Sequence, residues 1–526
     1  MNDRHARRSG ARSPSGRGPV RSSRAWRAGA AAVTVIGALL FVFSWATASP
    51  PGSSPDEDWH LASIWCPTPL DGACSTKVND DQTTSVKVPQ KIVSAAACTA
   101  FNPAASGACV DGLGTEPAWT NRVDNGAYPG GFYDVMHWFV GGDMTASVMM
   151  MRLVNGTLGV ALLGALVALL SPGNRRLVAY GGLVVAAPMV VYLVASINPS
   201  GWAITGVAAA WIGLHGFFTE SQAWRRYTLA GLAAFGAVLA AASRGDAGAF
   251  AALVAVAATV LHLDRIRADL KRVAAPVVVA AIGVAGFLSG TQSSAVSSGL
   301  TDYPPGDLGL LLSNIRALPA LLLDSLTGPL NWLDTPMPAI TWVPVTMLAT
   351  ALVFWGLQSM NWRKGIALLG MVVAFCALPL LLLQVSGAPV GAEVQGRYLT
   401  PIVPVIVMTA LWNPIRNGVD RLTRVQTLVV AVALVVANAA ALHTQIRRFV
   451  TGLDAPYFNL DWNVEWWASP VSPMATLVLG SLGFAILVIG LFLVRGSDLP
   501  DIPDAGGTQD PSESGDESIA QAAPAR

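Results

Sequence analysis

About 20 consecutive apolar residues ask for lipid as their solvent, and no other local feature restricts a fold as much. This chain has a dozen such runs, near 28–48, 147–170, 177–196, 202–218, 227–243, 247–263, 273–290, 338–358, 364–385, 398–413, 425–443 and 473–494. Inside a bilayer every backbone N–H and C=O must find its partner within the protein, which leaves helices as the spanning element here. The expected fold class is therefore an all-α integral membrane protein of about 12 transmembrane helices. Composition agrees: 12% of the 526 residues are charged, about half the soluble average.

The first run could also be read as a signal peptide, because Ala46 and Ala48 form an A-x-A-like site. It is longer than a signal-peptide core, which favours a retained anchor. With the N-terminus in the cytoplasm, alternate turns carry Arg175 and Arg176, Arg225 and Arg226, Arg265 to Arg272, Arg363 and Lys364, and Arg421 and Arg424. Basic turns face the cytoplasm. The expected location is the plasma membrane, multi-pass, with both termini cytoplasmic. Residues 1–27 read as a disordered basic tail, 28–496 as the polytopic domain and 497–526 as a disordered acidic tail.

Long loops fall on the outer side, above all 49–146 and 291–337. Long loops are usually functional, so the chemistry is expected there. The first loop holds Cys66, Cys74, Cys98 and Cys109. Outside the cytoplasm four cysteines suggest two disulfides in one of three connectivities; sequential pairing is preferred, and four reduced thiols are the alternative. No phosphate-cradling GxxxxGK[ST] loop, zinc pattern or basic aromatic patch occurs, which argues against a self-powered pump and against a nucleic-acid partner.

At 53–60 the first loop opens with SSPDEDWH, placing Asp56, Glu57 and Asp58 where the first span leaves the bilayer. Asp56, Trp59 and His60 share a face if this stretch is helical. A carboxylate here can serve as a general base, its pKa raised by partial desolvation; a helix N-cap is the plainer reading. The loop ends with NGAYPGGFYDVMHWFVGG at 125–142, whose rings, Tyr128 among them, suit an interfacial helix or re-entrant turn. The turn NPSGW places Asn198, Ser200 and Trp202 at the depth of Asp56. Asp334 lies in LNWLDTPMP within 291–337, and the Arg244/Asp246 turn reads as a surface ion pair. Arg397, in QGRYLTPIVP, is the leading candidate to hold a phosphate, with Arg316, Arg244 and Arg152 behind it. Snorkelling, or pairing with Glu393, is its alternative.

These stretches, in this order and topological placement, resemble the actinobacterial membrane-protein family catalogued as domain of unknown function 2142, over roughly residues 30–495. That family in turn resembles the GT-C glycosyltransferases, multi-spanning enzymes that move a sugar from a polyprenyl phosphate on the outer face. The resemblance implies a catalytic acid in the first outer loop, at Asp56 with Glu57 as partner or alternate, and interfacial helices beside the lipid donor. Here that loop is long and carries four cysteines, and Tyr-Pro-Gly-Gly stands at Tyr128 where the family pattern has Tyr-Pro-Pro-Leu-Tyr. The expected function is sugar transfer from a polyprenyl-phosphate donor to a cell-envelope glycan, lipid or protein, with Arg397 neutralising the phosphate and His60, Tyr128, Asn198, Trp202 and Asp334 lining the site. The cofactor is unknown, a divalent metal being one option. A lipid or solute carrier and a non-catalytic envelope-assembly protein are the alternatives.

Overall fold

The computed structural model describes residues 20–290 and 306–493, apart from Glu393, Arg416, Asn417, Asp420 and Asn463. The acidic tail at 497–526, most of the basic tail and the start of the 291–337 loop lie outside the described residues. The first helix, Val20–Ala46, begins inside the stretch read as tail.

The protein is predominantly helical. Ten described helices are long and apolar enough to cross a membrane, or eleven if a bent pair counts as one span. That pair, Pro172–Leu183 and Pro188–Val194, replaces the expected straight run at 177–196 and bends by 96°. Pro188, which cannot donate into the preceding turn, stands at the break. The runs at 247–263 and 398–413 yield only the shorter helices Gly245–Leu261 and Thr400–Leu411.

The largest departure is Leu308–Thr327, a 20-residue apolar helix where the second large outer loop was expected. Arg316 and Asp324 hold its mean hydropathy at 1.3, against 2.8 for Trp362–Ser386. Its contacts show that it does not cross. At its start Gly306 donates to the Gln384 carbonyl, at the end of helix Trp362–Ser386. At its other end Ser325 accepts from Thr400, three residues beyond Arg397. Both ends therefore meet the face of the bundle that carries the 47–143 loop, and the helix lies along that face as a strap. With the strap set aside, nine long helices, the bent pair and the two short helices remain among the described residues.

Close helix packing follows from small residues, as in membrane bundles generally. A Cβ on Gly206 would come within 2.4 Å of the Gly236 carbonyl oxygen, so helices Ser200–Thr219 and Ala223–Ser243 touch backbone to backbone. Side chains close the helix starts: Asp143 accepts from Thr145 and Ala146 N–H, and Thr423 with Gln426 forms a reciprocal capping box.

The first loop is a small folded unit. Strands Thr76–Val78, Thr84–Pro89 and Pro117–Thr120 form an antiparallel sheet, Lys87 opposite Trp119. Val86 and Val88 are buried on either side of exposed Lys87, the period of two that a half-buried strand requires. Two disulfides pair sequentially, Cys66 with Cys74 and Cys98 with Cys109, while Cys376 is free.

Candidate functional site

The helix Glu57–Trp65 follows the first span, and its entry turn decides what each acid does. Asp56 sits in the left-handed region at φ 56° and makes no side-chain cap, a conformation Asp tolerates better than most residues. Glu57 instead turns back on the chain before the helix, its Oε2 accepting from Ser54 N–H at 2.9 Å. The Asp56 carboxylate is left free to pair outside the helix.

Arg397 comes to meet it. Its Nη2 donates to Asp56 Oδ2 at 2.7 Å and to the Tyr398 hydroxyl at 3.3 Å. The Arg397 side chain is 4% exposed and that of Asp56 41%. Arg397 Nε and Nη1 are buried with no hydrogen-bond partner. Tyr398 lies between two guanidiniums, 4.4 Å from Arg244 and 5.2 Å from Arg397. Arg244 is buried and doubly bonded to Asp246, with Nη1 on Ser200 Oγ at 2.9 Å. The expected surface pair is thus an inner wall of the site, because Tyr398 covers it.

Asn198 links the two halves of the cluster. Its amide donates to the Pro55 carbonyl, just ahead of Asp56, and its carbonyl oxygen accepts from Ser200 N–H. On the other side His60 Nδ1 lies 3.0 Å from the Tyr133 hydroxyl, with the Tyr128 ring edge-on at 5.7 Å. Burial lowers the His60 pKa to about 3, although Asp56 opposes the shift. The same burial raises the Tyr128 phenol, whose nearest charges include Arg244 and Asp56. For Asp56, burial pushes upward, but Arg397, His60 and Arg122 together outweigh it and the pKa is lowered. The expected upward shift fails because the cleft supplies more positive charge than desolvation removes stability.

Other expected site residues go elsewhere. Glu57 is fully buried and bonded to Arg152 Nη2 at 2.9 and 3.1 Å. Arg152 also reaches the carbonyls of Ala46, Ser49 and Pro50, which sews the end of the first helix to Met144–Leu169. Asp334 pairs with Arg448 at 3.1 Å, and Arg448 in turn holds the Thr99 and Ala105 carbonyls. Trp202 donates to Asn155 and packs edge-on against Phe132, supporting the helix Gly131–His137 that carries Tyr133. Arg316 is exposed on the strap helix. Glu393 lies outside the described residues. Of the 125–142 stretch, Phe132 and Tyr133 are buried against the site while Trp138 is exposed.

Arg122 was not anticipated. It bonds Asp58 through two nitrogens, reaches Asp56 Oδ1 at 3.4 Å and lies over the Trp59 ring. No motif marks it; the scarcity of cations in the outer loops was the only signal. Among the described residues no group of three or more His, Cys, Asp or Glu is placed to hold a metal ion. The cleft's positive charge comes from arginine.

A predominantly helical bundle with an acid and an under-bonded arginine at its loop face defines a polytopic membrane protein. The chain belongs to the family described as predicted membrane protein (DUF2142), whose sequence model matches residues 39–406. No curated protein and no solved structure matches it.

Proposed function

We propose that this protein is a membrane glycosyltransferase that takes a sugar from a polyprenyl-phosphate donor and transfers it to a hydroxyl of an envelope glycan, lipid or protein. The observation that carries the reading is Arg397: a buried cation with two N–H groups unpartnered, beside a half-exposed carboxylate. An N–H fork held dry and unsatisfied is costly, and a phosphate oxygen is the acceptor that suits it best.

The chemistry follows from the geometry. The acceptor oxygen attacks the anomeric carbon, the bond from that carbon to the phosphate oxygen breaks, and the departing electron pair stays on the phosphate beside Arg397. The hydroxyl proton passes to Asp56. Before substrate arrives Arg397 keeps Asp56 a weak base. A phosphate that draws the guanidinium onto itself removes that restraint, so the carboxylate becomes more basic when the donor is in place. Asn198 fixes the backbone from which Asp56 projects, and His60 and Tyr128 wall the cleft without charge of their own. Glu57 acts through Arg152 as a support for that turn.

On this reading the basic turns face the cytoplasm with both termini, and the cleft opens on the outer side of the plasma membrane. A carrier would place ionisable groups at mid-span. Buried Arg448, His215 and Lys364 sit toward helix ends, and Arg152 is tied to Glu57 and to the end of the first helix, which lends that alternative no support.

The test is transfer of labelled sugar from polyprenyl-phosphate donors in membranes with matched amounts of wild type, Asp56→Asn and Arg397→Gln. Both variants are expected to lose about 10²- to 10⁴-fold in rate, the range for removing a general base or a charge stabiliser. Transfer by Asp56→Asn at the wild-type rate would overturn the assignment.

A further inference from the structure

Lys364 is fully buried, and among the described residues no carboxylate pairs with it. Its neighbour Arg363 has Asp264. Lys364 Nζ donates only to neutral oxygens, the Gly356 carbonyl at 2.7 Å and Ser359 Oγ at 3.0 Å. Local structure explains the enclosure. Asn361 caps helix Trp362–Ser386 by accepting from Lys364 N–H, so the side chain starts in the first turn and runs back to the end of helix Ala339–Gly356. A Cβ on Gly356 would lie 2.0 Å from the Ala410 carbonyl oxygen, so that end is pressed onto the backbone of Val403–Leu411.

The two residues that hold Nζ also form part of the wall of a pocket of about 320 Å³. Gln358 and Asn413 add polar groups to it, Trp355 and Ile415 apolar ones, and no described lining residue is acidic. The pocket is remote from the strap and the Arg397 cleft. Gln384, whose amide bonds the Gly306 and Asp307 carbonyls at the start of the strap, lies about 30 Å from Lys364 along their common helix, at 1.5 Å per residue.

We propose that this pocket is an anion site separate from the Arg397 cleft, taking the phosphate of a small phosphate ester with Ser359 as its donor and Lys364 behind it as counter-charge. Lysines near helix ends often bond the last carbonyls, but this one is shut off from water. A buried ammonium whose partners are all neutral is costly, and an anion in the adjoining pocket offsets that cost. Ser359 is the link. Its oxygen accepts from Nζ, so its own proton is the one it can give, and that proton now reaches only the Gly356 and Trp412 carbonyls at 3.3 and 3.5 Å. Both are long for O–H donors. Size narrows the ligand: the volume is near the lower end of the roughly 300–1,000 Å³ of ligand pockets, room for a glycerol phosphate or a phospholipid headgroup rather than a nucleotide sugar.

The experiment uses the full chain carrying Arg397→Gln, which removes the cation of the other cleft, in maltoside micelles at low salt. It measures binding of two labelled probes, glycerol phosphate and short-chain phosphatidylglycerol. Binding of the soluble ester makes this a solute site, binding of the lipid alone makes it a headgroup site, and binding of neither overturns the proposal. Adding Lys364→Met is expected to weaken the bound probe at least about tenfold. Gln358 lines the pocket yet is exposed, so its substitution spares the core. Gln358→Glu should weaken binding and Gln358→Lys tighten it, each about three- to tenfold, and this pair decides the matter if the Lys364→Met protein folds poorly. Unchanged affinity in a Lys364→Met protein that melts normally, or equal affinity in the two Gln358 variants, overturns the site.

Discussion

Asp56 and Glu57 are adjacent, both acidic and both paired with an arginine, yet the two pairs are built for opposite purposes. Glu57 and Arg152 are 0% and 1% exposed, and the guanidinium adds three backbone carbonyls and the carboxylate a backbone N–H to the bond between them. Asp56 is open to the cleft, its arginine keeps two N–H groups in reserve, and a left-handed backbone aims the carboxylate away from the helix it precedes. The buried pair leaves only Arg152 Nε without a partner and is closed to solvent, whereas the open pair leaves Arg397 Nε and Nη1 unbonded beside an exposed carboxylate. The difference between the neighbours lies in satisfaction rather than residue type.

The strongest way to break the comparison is Glu57→Ala. Removing one partner of a buried, hydrogen-bonded pair leaves Arg152 charged and uncompensated, a loss of about 3–5 kcal/mol. Thermal melts of the purified protein should show it, with poor yield. A Glu57→Ala protein that melts like wild type and has only lost transfer would make Glu57 the working acid instead. The next largest effect is pH-dependent and belongs to His60. Its folded pKa, about 3, lies below the unfolded value of 6.5. The unfolded chain therefore takes up the proton first: stability is full above about pH 6.5 and is lost as pH falls toward 3. Between pH 6.5 and 5 the loss is about 2 kcal/mol. Melts of wild type across that window should slope, and His60→Gln should flatten them.

Most of the bundle was legible because lipid leaves a chain few choices, and the runs that span had to read as spans. The strap helix was not, since Arg316, Asn314 and Asp324 along Leu308–Thr327 make it look like loop until its partners are seen. Sequential pairing was the preferred one of three connectivities open to the four cysteines of the first loop, and it is the one formed. At the site, the scarcity of outer cations pointed to Arg397, 341 residues from Asp56. What no pattern could separate was Asp56 from Glu57. Asp56 is the left-handed residue, and its neighbours are held on both sides, Pro55 by Asn198 and Glu57 by Arg152. Asp334 misled for the opposite reason: an acid between aromatic and proline residues resembles a ligand group until Arg448 is found beside it.

Asp56→Asn should cost about 1 kcal/mol of stability or less. The amide oxygen can still accept from Arg397 Nη2, and the cleft side of the group is wetted. Near-normal melting with transfer abolished would sharpen the contrast with Glu57, while a collapse like that of Glu57→Ala would erase it.

The smallest expected effect is that of Arg122, and it tests how the open pair is tuned. Its side chain is 46% exposed, so solvent and salt screen it, and Arg122→Gln should change stability by less than about 0.5 kcal/mol. Its influence belongs on the titration of Asp56. Arg122 lowers that pKa, but after Arg397 and His60. Taking a positive charge from beside a carboxylate raises its pKa, so the acid limb of the transfer profile moves to higher pH. The move should be upward for Arg122→Gln, smaller than for Arg397→Lys, in which the cation is retained but the fork is lost, only if charge matters less than the bond. A larger move for Arg122→Gln than for Arg397→Lys would mean that charge at a distance governs Asp56. In high salt the Arg122→Gln displacement should disappear while the Arg397→Lys displacement persists, because only the buried contact is shielded from ions.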